Sequence, residues 1–205
     1  MRESVRPDAE VCRAWVREAA ARVAADRDRL TQLDSAIGDG DHGHNLDRGM
    51  RAALQAVEDL GETATAGEVL AAAGKALIAK TGGASGPLYG GALRAMGRSL
   101  DESGDLAAAL RAGCDAVRKL GGAAVGDKTM VDALEPAVKA YEETCDLEVT
   151  ADAATTGAES TMTLRARKGR ASYLGERSVG HLDPGAASTA LLIRALVTAA
   201  RDVRA

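Results

Sequence analysis

Apolar residues along this chain return at intervals of three and four rather than two, the spacing that keeps one face of an α-helix buried. Val11, Trp15, Ala19, Val23, Leu30 and Leu33 share such a face. With Pro7 and Asp8 as the N-terminal cap they predict a first helix of about seven turns. Asp34 to Asn45 interrupts the pattern with glycine and aspartate, and a second periodic segment runs from Leu46 to Leu60. Thr65 followed three residues later by Glu68 fits a capping box and opens a third helix to about Lys80. Pro87 suits the first turn of a fourth helix ending at Leu100, because its missing N–H is unused there. A fifth, Leu106 to Leu120, stops at Gly121 and Gly122. The sixth, Thr129 to Thr144, contains Pro136, where a kink or an earlier break is expected. Thr150 is the expected cap of a seventh helix reaching about Lys168. Asp183 and Pro184 open the last, ending near Arg204.

The connections after the odd-numbered helices are long and rich in glycine and polar residues, whereas those after the even-numbered ones are short. If successive helices run antiparallel, all four long connections fall at one end of the bundle. Thirteen of the 23 glycines lie in the four segments 34–45, 80–87, 121–129 and 168–185. One end is therefore built for a ligand and the other merely closed. No linker or repeat divides the sequence, so residues 1–205 are expected to form a single all-α domain.

Composition supports helices and narrows the function. Forty-four residues are alanine, none is phenylalanine, one is tryptophan and three are tyrosine. That inventory suits closely packed helices and argues against a β-sandwich. The net charge of −4 gives no general attraction to nucleic acid. No stretch approaches the roughly 18 apolar residues of a membrane span, and Met1 to Val16 lacks a signal-peptide core, so a cytoplasmic protein is expected. Cys12, Cys114 and Cys145 are widely spaced and odd in number, as buried thiols in a reducing compartment would be.

The chemistry concentrates in the long connections. Asp34, Asp39 and Asp41 stand in L-D-S-A-I-G-D-G-D-H-G-H-N. Three carboxylates this close repel one another unless a cation intervenes, and hard oxygen ligands suit magnesium. An EF-hand is excluded, since counting from Asp39 puts His44 where that loop needs glycine and Met50 where it needs glutamate. The carboxylates favour magnesium over a zinc set of His42, His44 and His181. T-G-G-A-S-G-P, residues 81–87, leads into a helix and offers backbone N–H groups to an anion, although it lacks the G-K-[ST] ending of a P-loop. In G-D-K-T-M, Lys128 and Thr129 either meet phosphate or cap the sixth helix. Arg165, Arg167, Lys168, Arg170 and Arg177 read as counter-charges to a polyphosphate. Metal ligands, glycine loops and arginines are together the parts that phosphoryl transfer requires.

In these four motifs the sequence resembles the nucleotide-binding L subunits of dihydroxyacetone kinase. The matching stretches are L-D-S-A-I-G-D-G-D-H-G-H-N-L-D-R-G, G-G-A-S-G-P-L-Y-G, G-D-K-T-M-V-D and A-R-K-G-R-A-S-Y-L-G-E-R-S-V-G-H-L-D-P-G, in order between about Leu33 and Ser188. The resemblance implies an eight-helix antiparallel barrel with ADP or ATP at one end and two magnesium ions held by Asp34, Asp39 and Asp41. It implies nucleotide contacts from His42, Gly43, His44, Asn45, Ala84, Ser85, Gly121, Met130, Arg170, Asp183, Pro184 and Gly185, with Arg170 stabilising the transferring phosphoryl group. It implies two partners. One is a K-type subunit that holds dihydroxyacetone, and the other is an M-type subunit whose phosphohistidine recharges bound ADP at the expense of phosphoenolpyruvate; a homodimer is compatible with it. Nothing in the sequence corresponds to the K-type part, so dihydroxyacetone is not expected to turn over on this chain alone. Two other readings are an ATP-dependent L-type subunit for another ketose or an acyl substrate, as in the similar N-terminal domain of fatty acid kinase, and a nucleotide-loaded regulatory module.

Overall fold

The computed structural model describes residues 7–203. Among them are eight α-helices and two 3-10 segments. The α-helices are α1 (Ala9–Ile37), α2 (His42–Glu58), α3 (Ala66–Lys80), α4 (Ser85–Ser103), α5 (Leu106–Gly121), α6 (Val131–Thr144), α7 (Leu147–Ser160) and α8 (Pro184–Asp202). The 3-10 segments, Thr161–Thr163 and Arg170–Ser178, lie between α7 and α8. Each helix packs on the next in sequence, and α8 returns to α1, so the eight close into a ring. One apolar core is shared by all of them, from Val11 and Val23 through Leu70, Leu110 and Val138 to Leu196. The Trp15 indole reaches across the closing seam and donates to the Leu192 carbonyl at 2.8 Å.

Small residues set the helix spacing. A Cβ on Gly74 would stand 2.6 Å from the Gly90 carbonyl oxygen, and one on Gly90 would stand 2.4 Å from that of Gly74. The backbones of α3 and α4 therefore touch, as an interior with little aromatic filling requires.

Three boundaries differ from the sequence pattern, each for a local reason. Helix α2 begins at His42, four residues before Leu46, because the Asp34 carboxylate accepts its first amides. Helix α6 runs unbroken through Pro136. The carbonyl that Pro136 leaves without its intrahelical donor is that of Asp132, which is pressed against α7 where a Cβ on Gly157 would stand only 2.2 Å away. Helix α7 starts at Leu147 with Asp146 as its cap. Thr150 lies inside it, fully buried, with its hydroxyl on the Asp146 carbonyl. This helix stops at Ser160 rather than near Lys168, so the basic run lies on irregular chain.

Candidate functional site

The four odd-to-even connections meet at one end of the ring and line a cavity of about 470 Å³. At the far end every helix that begins there is capped by its own side chain: Asp8 for α1, Thr65 for α3, Asp105 for α5 and Asp146 for α7. At the cavity the pattern reverses. Helices α2, α4 and α6 start at Asp41, Ala84 and Met130 without a side-chain cap, and only α8 has one, from Asp183. Four helix N-termini thus face one space with their positive dipole ends; Asp34 takes His42 N of α2 and Thr129 Oγ1 takes Val131 N of α6, whereas no N-cap side chain meets the first turn of α4. Such a space favours a polyanion.

At the start of α2 stands an acidic cluster. Asp34 closes α1, and its Oδ2 accepts from the amides of Asp41 at 2.9 Å and His42 at 3.1 Å. This folds 38–41 into a tight loop. A Cβ on Gly38 would collide with the Asp34 carboxylate at 2.1 Å, and Gly40 has a φ of +72°, so both positions require glycine. Oxygens of Asp34, Asp39 and Asp41 lie within 4.8 Å of one another. Asp34 is only 8% exposed, while Asp39 and Asp41 face solvent. Three hard oxygen donors held this close, beside a space that attracts polyanions, fit a magnesium site. Arg170, first residue of its 3-10 segment, places Nε 3.0 Å from Asp39 Oδ2.

Behind the cluster, His42 is buried between two hydroxyls, with Ser188 Oγ 2.9 Å from Nε2 and Ser85 Oγ 3.2 Å from Nδ1. Burial lowers its pKa against the pull of Asp34 and Asp41. The Tyr89 hydroxyl lies 2.7 Å from Ser188 Oγ, 2.9 Å from Thr189 Oγ1 and 3.0 Å from the Gly185 carbonyl. Burial pushes its pKa up to about 12. This chain of hydroxyls fixes the start of α4 relative to the start of α8.

The floor carries a second buried charge set. Asp132 accepts from Gly126 N and Thr129 N and so shapes the loop before α6. Within that loop Lys128 has a φ of +63° and is 1% exposed. Its ammonium donates to the carbonyls of Thr161 and His181. Burial lowers its pKa, against the favourable charges of Asp183 and Asp132. Asp183 is raised to about 7, chiefly by burial and against its hydrogen bond from Ala186 N.

A family model described as DAK2 domain matches residues 36–198. The chain belongs to the DAK2 domain family. It is 42% identical over 187 residues to the ADP-binding subunit DhaL of phosphoenolpyruvate-dependent dihydroxyacetone kinase 1 of Listeria innocua, covering 89% of this chain and 92% of that one. It is 43% identical over 199 residues to the D-erythrulose kinase of Mycolicibacterium smegmatis, covering 90% of this chain but only 34% of that one. Among solved structures it is similar to the dihydroxyacetone kinase of Citrobacter freundii in complex with AMP-PNP and Mg2+. The TM-score is 0.76 at 28% identity, over 91% of this chain and 33% of that one.

Within this DAK2 domain, most of the residues implied by the motifs line the cavity: Asp34, Asp39, Asp41, His42, Asn45, Ala84, Ser85, Gly121, Met130, Arg170, Asp183, Pro184 and Gly185. Gly43 and His44 stand apart from them. A Cβ on Gly43 would meet the Arg27 carbonyl oxygen at 2.0 Å, so this glycine serves the contact between α1 and α2. His44 is exposed and influences Asp28 on α1. Of the five cations in the basic run, Lys168 and Arg170 line the cavity. Arg165 pairs with Glu176, and Arg165 and Arg167 flank Ala166, which is buried against Ile37. The three histidines form no ligand set; among the described residues the grouping suited to a metal is the aspartate triad.

Several lining residues escaped the sequence reading. Leu88, Val117, Ala123 and Val131 join Met130 on an apolar wall, and they are invisible in sequence because their periodicity is that of any helix interior. Lys128 and Thr129 were legible as a choice between phosphate and cap. The answer is mixed, since Thr129 Oγ1 accepts from Val131 N while Lys128 points inward. The D-K-T-M-V-D spacing, which puts a carboxylate three residues after Thr129, was the available signal for Asp132.

Proposed function

We propose that this chain is the nucleotide-binding phosphotransfer subunit of a dihydroxyacetone kinase supplied by phosphoenolpyruvate. One observation carries the reading: an acidic triad at the start of α2 shares a cavity of about 470 Å³, which has an apolar wall, with the N-termini of α4, α6 and α8. Asp34, Asp39 and Asp41 would hold two magnesium ions, whose charge neutralises phosphate oxygens and aligns them for in-line transfer. Bound ADP would serve as a fixed coenzyme, recharged by the phosphohistidine of an M-type partner and discharged to dihydroxyacetone on a K-type partner.

The chain's own groups divide the remaining work. First-turn amides of α4, beside Ala84 and Ser85, donate to the phosphate end, and His42 holds the Ser85 hydroxyl in place. Leu88, Val117 and Met130 give the base an aliphatic slot, so affinity rests chiefly on metal and phosphate. Arg170 stands beside Asp39 where charge develops during transfer, so that a cation meets the equatorial oxygens.

A second reading has its own support. The D-erythrulose kinase and the L-erythrulose 1-kinase of Mycolicibacterium smegmatis are each 43% identical to this chain over about a third of their own length, which makes a tetrulose the second candidate for the ketose that the K-type partner holds.

The test purifies the protein, denatures it and analyses the supernatant by mass spectrometry; release of near-stoichiometric ADP is expected. The protein is then combined with K-type and M-type subunits, with phosphoenolpyruvate or ATP as donor and dihydroxyacetone or erythrulose as acceptor. Turnover with ATP but not with phosphoenolpyruvate refutes the donor assignment, and product from erythrulose alone selects the second reading.

A further inference from the structure

The segment between α7 and α8 leaves the ring at Thr161 and rejoins it at His181, and Arg170 lies on this excursion. Its interior is held by bonds of its own: Gly180 N donates to the Met162 carbonyl at 2.7 Å and Ala166 N donates to Ser178 Oγ at 2.9 Å, while Ala166 and Ala171 pack on Ile37 of α1. Neither these bonds nor the exposed pair between Arg170 and Asp39 fix its base against the rest of the ring. At the base, Asp183 N donates to Thr161 Oγ1 at 3.0 Å, and one side chain reaches both ends. The Lys128 ammonium donates to the carbonyls of both Thr161 and His181, the two residues that bound the excursion. Arg167 N, donating to the Asp127 carbonyl at 3.0 Å, adds a second tie to the same loop.

We propose that Lys128 is a positioning residue, a buried clamp that closes both ends of the 162–180 excursion and thereby sets where Arg170 stands against the aspartate triad. The construction is otherwise hard to account for. An ammonium 1% exposed and carried on a non-glycine residue at a φ of +63° is costly in desolvation and in backbone strain. The cost is offset by two carbonyl acceptors and by Asp132 and Asp183 nearby. Lysine suits this place because its long stem spans the loop while its three donors serve separate acceptors. The clamp itself does not depend on the proposed phosphotransfer; only the consequence for Arg170 rests on that reading.

The test compares wild type with Lys128→Met, both freed of divalent cations by EDTA and gel filtration, by hydrogen exchange. Amides of 162–180 should exchange about ten- to a hundredfold faster in the variant, the range for losing hydrogen bonds to a charged group, while those of α3 and α4 are unchanged. Faster exchange throughout the ring, or no change in the excursion, overturns the clamp. In the reconstituted reaction kcat should drop by about a hundredfold with the KM for the K-type partner unchanged; a loss confined to KM also overturns it. If the reconstituted wild type has no activity, the phosphotransfer reading fails and the exchange result alone decides. Should Lys128→Met not fold, Lys128→Gln decides: faster exchange confined to 162–180 supports the clamp, and exchange there equal to wild type rejects it.

Discussion

Replacing Gly43 with alanine separates a packing glycine from a ligand-contacting one. In the ring, a Cβ at this position would stand 2.0 Å from the Arg27 carbonyl oxygen, 2.5 Å from Thr31 Oγ1 and 2.8 Å from Thr31 N. The nearest atom belongs to the backbone of α1 and cannot rotate away, so α1 and α2 must separate by more than an ångström to restore ordinary contact. Overpacking of this kind costs about 3 kcal/mol at the upper end of its usual range. Alanine returns at most about 1 kcal/mol through helix propensity. The net loss of about 2 kcal/mol corresponds to a fall of about 4–8 °C in Tm for a chain of this size. Urea unfolding followed by circular dichroism, with a thermal melt beside it, reads both quantities. Gly91→Ala is the control: nothing lies within 4 Å of its Cβ position, so it should stabilise α4 by about 0.5–1 kcal/mol. If Gly43→Ala melts with the wild type yet loses bound nucleotide, the packing argument is wrong and Gly43 belongs to the ligand.

Three further outcomes are expected. Asp39→Ala removes an oxygen of the triad and the partner of Arg170, and magnesium-dependent retention of adenine nucleotide should fall at least about 100-fold by equilibrium dialysis; retention equal to wild type, with magnesium and with EDTA alike, would count against the metal assignment. Asp183 is raised to about 7 in the fold, so between about pH 4 and 7 the unfolded chain releases a proton that the native one keeps, and stability conferred at acid pH is lost as pH rises through this window. Asp183→Asn keeps a capping side chain without that proton, and its unfolding free energy relative to wild type should rise across the window; parallel pH curves refute this. Finally, burial pushes the thiols of Cys12 and Cys114 up to about 12, so iodoacetamide should label native protein at the partly exposed Cys145, and alkylation of Cys114 at the same rate contradicts the buried assignment.

Much of this was legible from pattern because the signals were local. Asp8, Thr65 and Asp183 cap the helices that their spacing announced, and the glycine-rich connections share one end. Failure came where a distant group decided the outcome. His42 to Asn45 read as loop because Gly43 interrupts the periodicity, yet Asp34, seven residues before Asp41, supplies the acceptor that starts α2 there. The basic run read as the end of a helix, but α7 stops at Ser160, and the burial of Ala166 against Ile37 directs its neighbours away from the cavity. For Lys128 the spacing leaves a choice between meeting phosphate and capping the sixth helix. The burial of this lysine depends on two carbonyls 33 and 53 residues away, and no spacing rule reports them.

An even number of helices has an architectural consequence. Helix α1 reaches the cavity with its last turn and α8 leaves it with its first, so the first residue of α1, Ala9, and the last of α8, Asp202, lie at the end whose helices cap themselves. At about 1.5 Å per residue, the 29 residues of α1 and the 19 of α8 carry those two helix ends about 30–40 Å from the cavity end. Additional polypeptide can be appended at either terminus without crowding the mouth of the cavity. That is a topological licence for gene fusion, and it suits a family in which the same ring occurs both as nearly the whole of one protein and as about a third of another.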